Sequence, residues 1–159
     1  MMKRIFLLVV AGFFCNVGSA EPGVVRAVEL QIEHVLATGQ VTVSVRNLEK
    51  KPLRMWWDGN EWGGARWRIV HISNDRLETY YQDPDQIFSP NAPNFDEVPA
   101  GKSVQIKLDL NDRFWLPKPK EVRWTSGDTV IAIYDVPSSR EAQKYDVWYG
   151  VAAAMAIVP

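Results

Sequence analysis

Along much of this chain apolar and polar residues alternate one for one. Val28, Leu30 and Ile32 alternate with Glu29, Gln31 and Glu33, and Val41, Val43 and Val45 with Thr42, Ser44 and Arg46. Val104, Ile106, Leu108 and Leu110 alternate with Gln105, Lys107 and Asp109. A period of two over such lengths predicts strands with one buried face. Ala37-Thr38-Gly39-Gln40 lies between the first two segments and predicts a hairpin turn, hence an antiparallel pair.

The segment from Leu53 to Ser73 reads as two more strands joined by an aromatic loop. It holds four of the seven tryptophans, divided by Asp58-Gly59-Asn60 and Gly63-Gly64. In its second strand Trp67, Ile69 and His71 share one face, opposite Arg66, Arg68, Val70 and Ile72, and either face could be the buried one. Asn74-Asp75 then marks a turn into a short aromatic strand ending at Tyr81. Thr129 to Val136 is nearly all apolar or β-branched, the pattern of a central strand covered on both sides. Ser138 or Ser139 can begin one helical turn. Tyr145 to Val158 is apolar on both faces and rich in alanine; its length would suit a helix, but Gly150 and its aromatic, β-branched opening favour a final strand.

Two long stretches without a period, Gln82 to Pro99 and Asn111 to Asp128, separate these segments and read as crossovers. Seven or eight strands and no convincing helix predict an all-β fold, and the crossovers favour an immunoglobulin-like antiparallel β-sandwich with Greek-key connections. The runs VPAGKSVQIKLDL, GDTVIAIYDV and YDVWYG, within Val98 to Gly150, carry a resemblance. They are similar to the small immunoglobulin-like domains exported by bacteria, as in N-terminal domains of some secreted metalloproteases and in some bacterial proteinase inhibitors. That resemblance implies the sandwich and a binding or inhibitory role, and it transfers no site residues.

The first twenty residues add a compartment. Lys3 and Arg4, the apolar run Ile5 to Phe14 and the small residues Gly18-Ser19-Ala20 predict a secretory signal cleaved after Ala20, leaving residues 21–159 as a single domain. Acylation at Cys15 fits less well, because Phe14 stands where that processing needs a small residue. The apolar run is shorter than the about 20 residues of a membrane span. Loss of the signal removes the only cysteine and leaves sixteen basic against nineteen acidic residues, a formal charge of −3. The expected product is periplasmic or secreted, without thiol or disulfide, and too acidic for a nucleic-acid binder.

Candidate chemistry centres on the aromatic loop. Trp57 and Trp67 are assigned to the core, while Trp56, Asp58, Trp62 and Arg66, joined by Trp115 from the second crossover, form the candidate binding surface. Exposed tryptophans suit protein contacts and equally the stacking of sugar rings. Asp58 and Glu61 read as turn acids rather than a glycosidase pair. Asp83, Asp85, Asp96 and Glu97 match no calcium-loop spacing, so no metal or cofactor is expected. His34 and His71 read as structural or surface residues, and no catalytic motif accompanies them.

The expectation is therefore a non-catalytic exported domain that binds an envelope or secreted protein. A carbohydrate-binding module is the alternative. The chain is expected to be a monomer, or a weak oligomer through its C-terminal strand.

Overall fold

The computed structural model describes residues 28–56, 66–74, 76–82, 95–112, 115–118 and 122–159, without the side chain of residue 66. The proposed signal and most of the aromatic loop lie outside these residues. Among the described residues there are seven strands of six residues or more: β1 (Val28–Leu36), β2 (Gln40–Asn47), β4 (Arg66–Ile72), β5 (Leu77–Gln82), β7 (Ser103–Asp109), β9 (Thr129–Val136) and β10 (Gly150–Ile157). Three short strands, β3 (Leu53–Met55), β6 (Asp96–Val98) and β8 (Trp115–Leu116), and one helix, α1 (Arg140–Lys144), complete the order. Alternation predicts β1, β2, β4 and β7, apolar runs predict β9 and β10, and the short strands sit where proline and loss of period interrupt the pattern.

The fold is an antiparallel β-sandwich. One sheet has the order β1-β2-β7, the other β10-β9-β4-β5-β8, and β3 pairs with β6 in a two-stranded ribbon. After β2 the chain crosses to the larger sheet, returns for β7 and crosses again for β8 and β9, so the aperiodic stretches are crossovers as predicted. β1 and β10, edge strands of the two sheets, run beside each other. The inner positions of β10 are Gly150, Ala152, Ala154 and Ala156, small residues that leave room for this approach.

Alternation decides the core. Val41, Val43 and Val45 from one sheet meet Trp67, Ile69, Val130, Ala132, Tyr134 and Val136 from the other, all buried. Tyr134 stands at the middle, its ring 4.6 Å from that of Trp67 and stacked 5.4 Å from that of Trp148. Its phenol donates a 2.6 Å hydrogen bond to the carbonyl of Trp56, which keeps a polar tip satisfied deep in an apolar region. Burial raises the Tyr134 pKa well above its ordinary value.

In β1 the register slips between Ile32 and His34. This bulge turns Val35 rather than His34 inward and leaves His34 exposed. Buried Asn47 fastens the turn after β2 to β6: its amide donates to the carbonyls of Lys51 (2.8 Å) and Val98 (2.9 Å). Ser139 caps α1 by accepting from the Ala142 N–H, as its position before a helical turn predicts.

The β1–β2 hairpin tip docks on the second crossover. Gly39 adopts φ +86°, and a Cβ there would lie 2.6 Å from the Cβ of Val122. Its carbonyl accepts from Leu110 N–H, and that of Ala37 from Trp124 N–H. Gly101 has a similar φ of +69° but open space around it. Gly101→Ala should therefore lose about 1 kcal/mol from backbone strain alone, and Gly39→Ala about 3 kcal/mol because an overpacked contact adds to it. Urea unfolding of the two variants beside the wild type measures the difference; equal losses would refute the docking of the tip.

Candidate functional site

The two sheets have outer faces of opposite character. On the three-stranded sheet the outward cross-strand rows are Glu29–Arg46–Ser103, Gln31–Ser44–Gln105, Thr42–Lys107 and Gln40–Asp109. This face is polar apart from exposed Leu36, the partner of Gln40, and it is internally bonded. Arg46 lies 3.6 Å from Glu29, Gln40 donates to Asp109 at 2.8 Å and Gln105 donates to Glu33. It is the face that water selects.

The outer face of the five-stranded sheet is apolar. Its rows are Ile157–Thr129–Ile72–Leu77, Met155–Ile131–Val70–Thr79, Ala153–Ile133–Arg68–Tyr81–Leu116 and, at one end, Val151–Asp135–Arg66. Leu77 is 67% exposed, Val151 66% and Ile157 57%. Arg68 and Asp135 form a 2.7 Å ion pair within this face, each neutralising the other. Scattered apolar residues on a surface need no explanation, but a contiguous sheet face of them marks an interaction site.

The residues proposed from sequence fall elsewhere. Trp56 is fully buried, which corrects its assignment to an exposed platform. β3 ends at Met55, so alternation ends there too, and Leu53, Met55 and Trp56 are all free to face the core. Trp115 is also buried, at 3% exposure. It pairs with Gln82 at the sheet edge, where the pleat sends Trp115 inward and its neighbour Leu116 outward.

Arg66 opens β4 opposite Asp135, at an outer-face register position. Trp67 lies in the core as expected. Asp58, Trp62, Trp57, Glu61, Asp83 and Asp85 lie outside the described residues. Asp96 and Glu97 are exposed on β6, Glu97 3.2 Å from Arg54.

One buried polar cluster escapes the sequence reading. His71, on the inner face of β4, has Nδ1 3.3 Å from Glu78 and Nε2 2.8 Å from Asp128. Tyr80 donates to Glu78 at 3.0 Å, and the Thr125 N–H donates to Asp128 at 2.9 Å. The backbone hydrogen bond from Thr125, then that with His71, hold Asp128 below the usual carboxylate range. Burial, reinforced by the bond to Glu78, pushes the Tyr80 phenol up to about 12.

These residues floor a groove of about 850 Å³ bordered by Arg76, Lys118 and Arg123. Each ring nitrogen of His71 faces a carboxylate oxygen, so neither offers a lone pair to an incoming group. The arrangement ties β4 and β5 to the turn before β9. Among the described residues no three His, Cys, Asp or Glu side chains are grouped to hold a metal ion, and no helix is long and apolar enough to cross a membrane.

No protein-family model and no curated protein matches the chain. Among solved structures it is similar to the archaellum periplasmic stator protein FlaG from Sulfolobus acidocaldarius, at TM-score 0.40 and 12% identity over 82% of this chain and 100% of that one. It is likewise similar to a chain of the FlaF and FlaG stator complex of that organism, at TM-score 0.40 and 11% identity over 89% and 100%. Neither is one of the metalloprotease domains or inhibitors that Val98 to Gly150 resembles. At such scores the likeness adds nothing to what strand order and burial establish.

The His71 cluster makes stability depend on pH in two windows. A depressed Asp128 pKa contributes stability that is complete above the ordinary carboxylate value of about 4 and is lost as pH falls through the folded-state value. Asp128→Asn should flatten this acid limb in urea titrations between about pH 2 and pH 5. Tyr80 acts with the opposite sign: unfolded tyrosine ionises near pH 10, so stability should fall from there to about pH 12, and Tyr80→Phe should lessen that decline, leaving the part due to buried Tyr134. Limbs unchanged in the variants would refute the cluster's part in folding.

Proposed function

We propose that this chain is an exported, non-catalytic binding domain of the periplasm or the exterior, and that a protein covers the outer face of its five-stranded sheet. The observation that carries this reading is the contrast between the two outer faces. Strands alternate in both sheets, so the chain can place charge on an outer face and does so across the three-stranded sheet. On β10, β9, β4 and β5 it places Val151, Met155, Ile131, Val70 and Leu77 instead. An apolar area of this kind facing water disfavours a lone soluble domain, whereas a covered one contributes to association.

A protein fits this face better than a glycan. Sugar rings bind on exposed aromatic rings flanked by hydroxyl partners, and among the described residues the rows of this face hold one aromatic ring, that of Tyr81. Two of the tryptophans proposed for stacking, Trp56 and Trp115, are buried. A lipid surface suits it poorly as well, since anionic headgroups repel an acidic chain.

Met155→Asp/Leu77→Asp places two charges on exposed positions of the face without entering the core. The wild-type chain, exported with its own leader and immobilised, should retain a protein from its envelope extract, a further copy of itself included. The double variant, with the same near-ultraviolet circular dichroism, should lose that protein at least about tenfold. Equal retention by both baits would refute the face as the binding surface.

A further inference from the structure

We infer that the protein covering this face is a second copy of the same chain, packed face to face about a two-fold axis that runs along the strands. This rests on the reading of the apolar face as a protein-binding surface, and it names the occupant.

Across the four long strands of the sheet the order is β10-β9-β4-β5, so its midline falls between β9 and β4. A two-fold axis parallel to that midline exchanges the two inner strands: β4 of one copy lies over β9 of the other, and β10 over β5. Arg68 is on β4 and Asp135 on β9, near the same end of the face and 2.7 Å apart. Such an axis keeps every residue at its height along the strands, and Asp135 shares its row with Arg66 of β4, so each Asp135 lies over the Arg66 position of the opposite copy while Arg68 stays paired with its own Asp135. Each acid of one copy is thus set against a basic position of the other. An isologous interface needs such self-complementarity, because one patch must match itself.

Shape runs the same way. On β5 the small Thr79 stands between Leu77 and Tyr81, and on β10 the small Ala153 stands between Val151 and Met155. Neighbours on one face of a strand are about 6.8 Å apart. With β10 over β5, the small position of each strand receives a large side chain of the other. Sheets of one twist pack this way, about 10 Å apart and close to aligned.

The size of the face sets the strength. Four strands at about 4.8 Å and three steps of about 6.8 Å give about 20 Å by 20 Å, or about 400 Å² for each copy. That is half of the about 800 Å² per partner in a standard interface, which places the dimer in the weak, concentration-dependent class.

Two opposite charge reversals test the inference. Arg68→Asp sets a second acid beside Asp135 at the charged end of the face, and Asp135→Arg leaves three bases there, at positions 66, 68 and 135. Sedimentation equilibrium of the wild-type chain from about 1 µM to about 1 mM should show a mass rising from one chain toward two. Each variant alone should dimerise at least about tenfold more weakly, and an equimolar mixture of the two should recover dimer. Near-ultraviolet circular dichroism of the tryptophan core verifies that each variant is folded.

A wild-type chain that stays monomeric throughout, or a mixture no better than its components, would overturn the second copy. If the monomeric wild type still retained a different protein that Met155→Asp/Leu77→Asp loses, the second copy alone would fall and the protein-binding reading would stand. A monomer with no face-dependent retention would overturn both.

Discussion

β9 is hydrogen-bonded on both sides, to β4 and to β10, and the register of those two ladders governs the molecule. Side chains alternate along a strand, so a slip of one residue would exchange its faces completely. In the observed register Val130, Ala132, Tyr134 and Val136 enter the core, and Ile131, Ile133 and Asp135 join the outer rows. Both sets are largely apolar, so hydrophobic patterning within β9 discriminates weakly between the two registers. The choice falls to its neighbours. Trp67 and Ile69 on β4 must be buried, and the Tyr134 phenol must reach the carbonyl of Trp56. An inverted β9 would leave that carbonyl without its donor and turn Asp135 into the core unpaired, a large penalty for a buried carboxylate.

Much of this was legible in the residues. One-for-one alternation locates β1, β2 and β7, and Gly39 marks the hairpin between the first two. Of Tyr145 to Val158, assigned to a final strand against its alanine content, Gly150–Ile157 forms that strand with its small residues on the inner face, while Tyr145 caps α1. The apolar outer face was visible as well, in TVIAIYDV and in the C-terminal run, where neither side of the strand is polar. Such a pattern says that both faces are covered; it does not say whether the cover belongs to the same chain.

The misplaced tryptophans show what local pattern omits. Trp56 was set opposite Trp57 by extending alternation one residue beyond the end of β3, and Trp115 was left in a crossover too irregular to reveal a two-residue strand. The His71 cluster was half legible. A turn centred on Asn74-Asp75 brings His71 opposite Glu78, and that is the observed register. Asp128 lies 57 residues from His71 and arrives only through the pairing of β4 with β9, which no short-range signal announces.

An exposed apolar sheet face is also a hazard, and the molecule confines it. The danger in such folds lies less in the face than in the edges, where unpaired backbone groups can add strands without limit. Here β10 has β1 beside it, and the opposite edge is β8, only two residues long. Edge growth is thereby restrained beside β10, while at the other end β8 pairs only with Tyr81 and Gln82 of β5. A face presents one surface and is consumed by one partner, so association through it closes, whereas association through an edge continues. The Arg68–Asp135 pair narrows the choice further, since a partner that buries it without supplying matching charges leaves both groups desolvated. A largely polar outer face on the three-stranded sheet and a largely apolar one on the five-stranded sheet thus act as a single constraint. They direct association to a closed, face-on contact and oppose the open-ended alternatives.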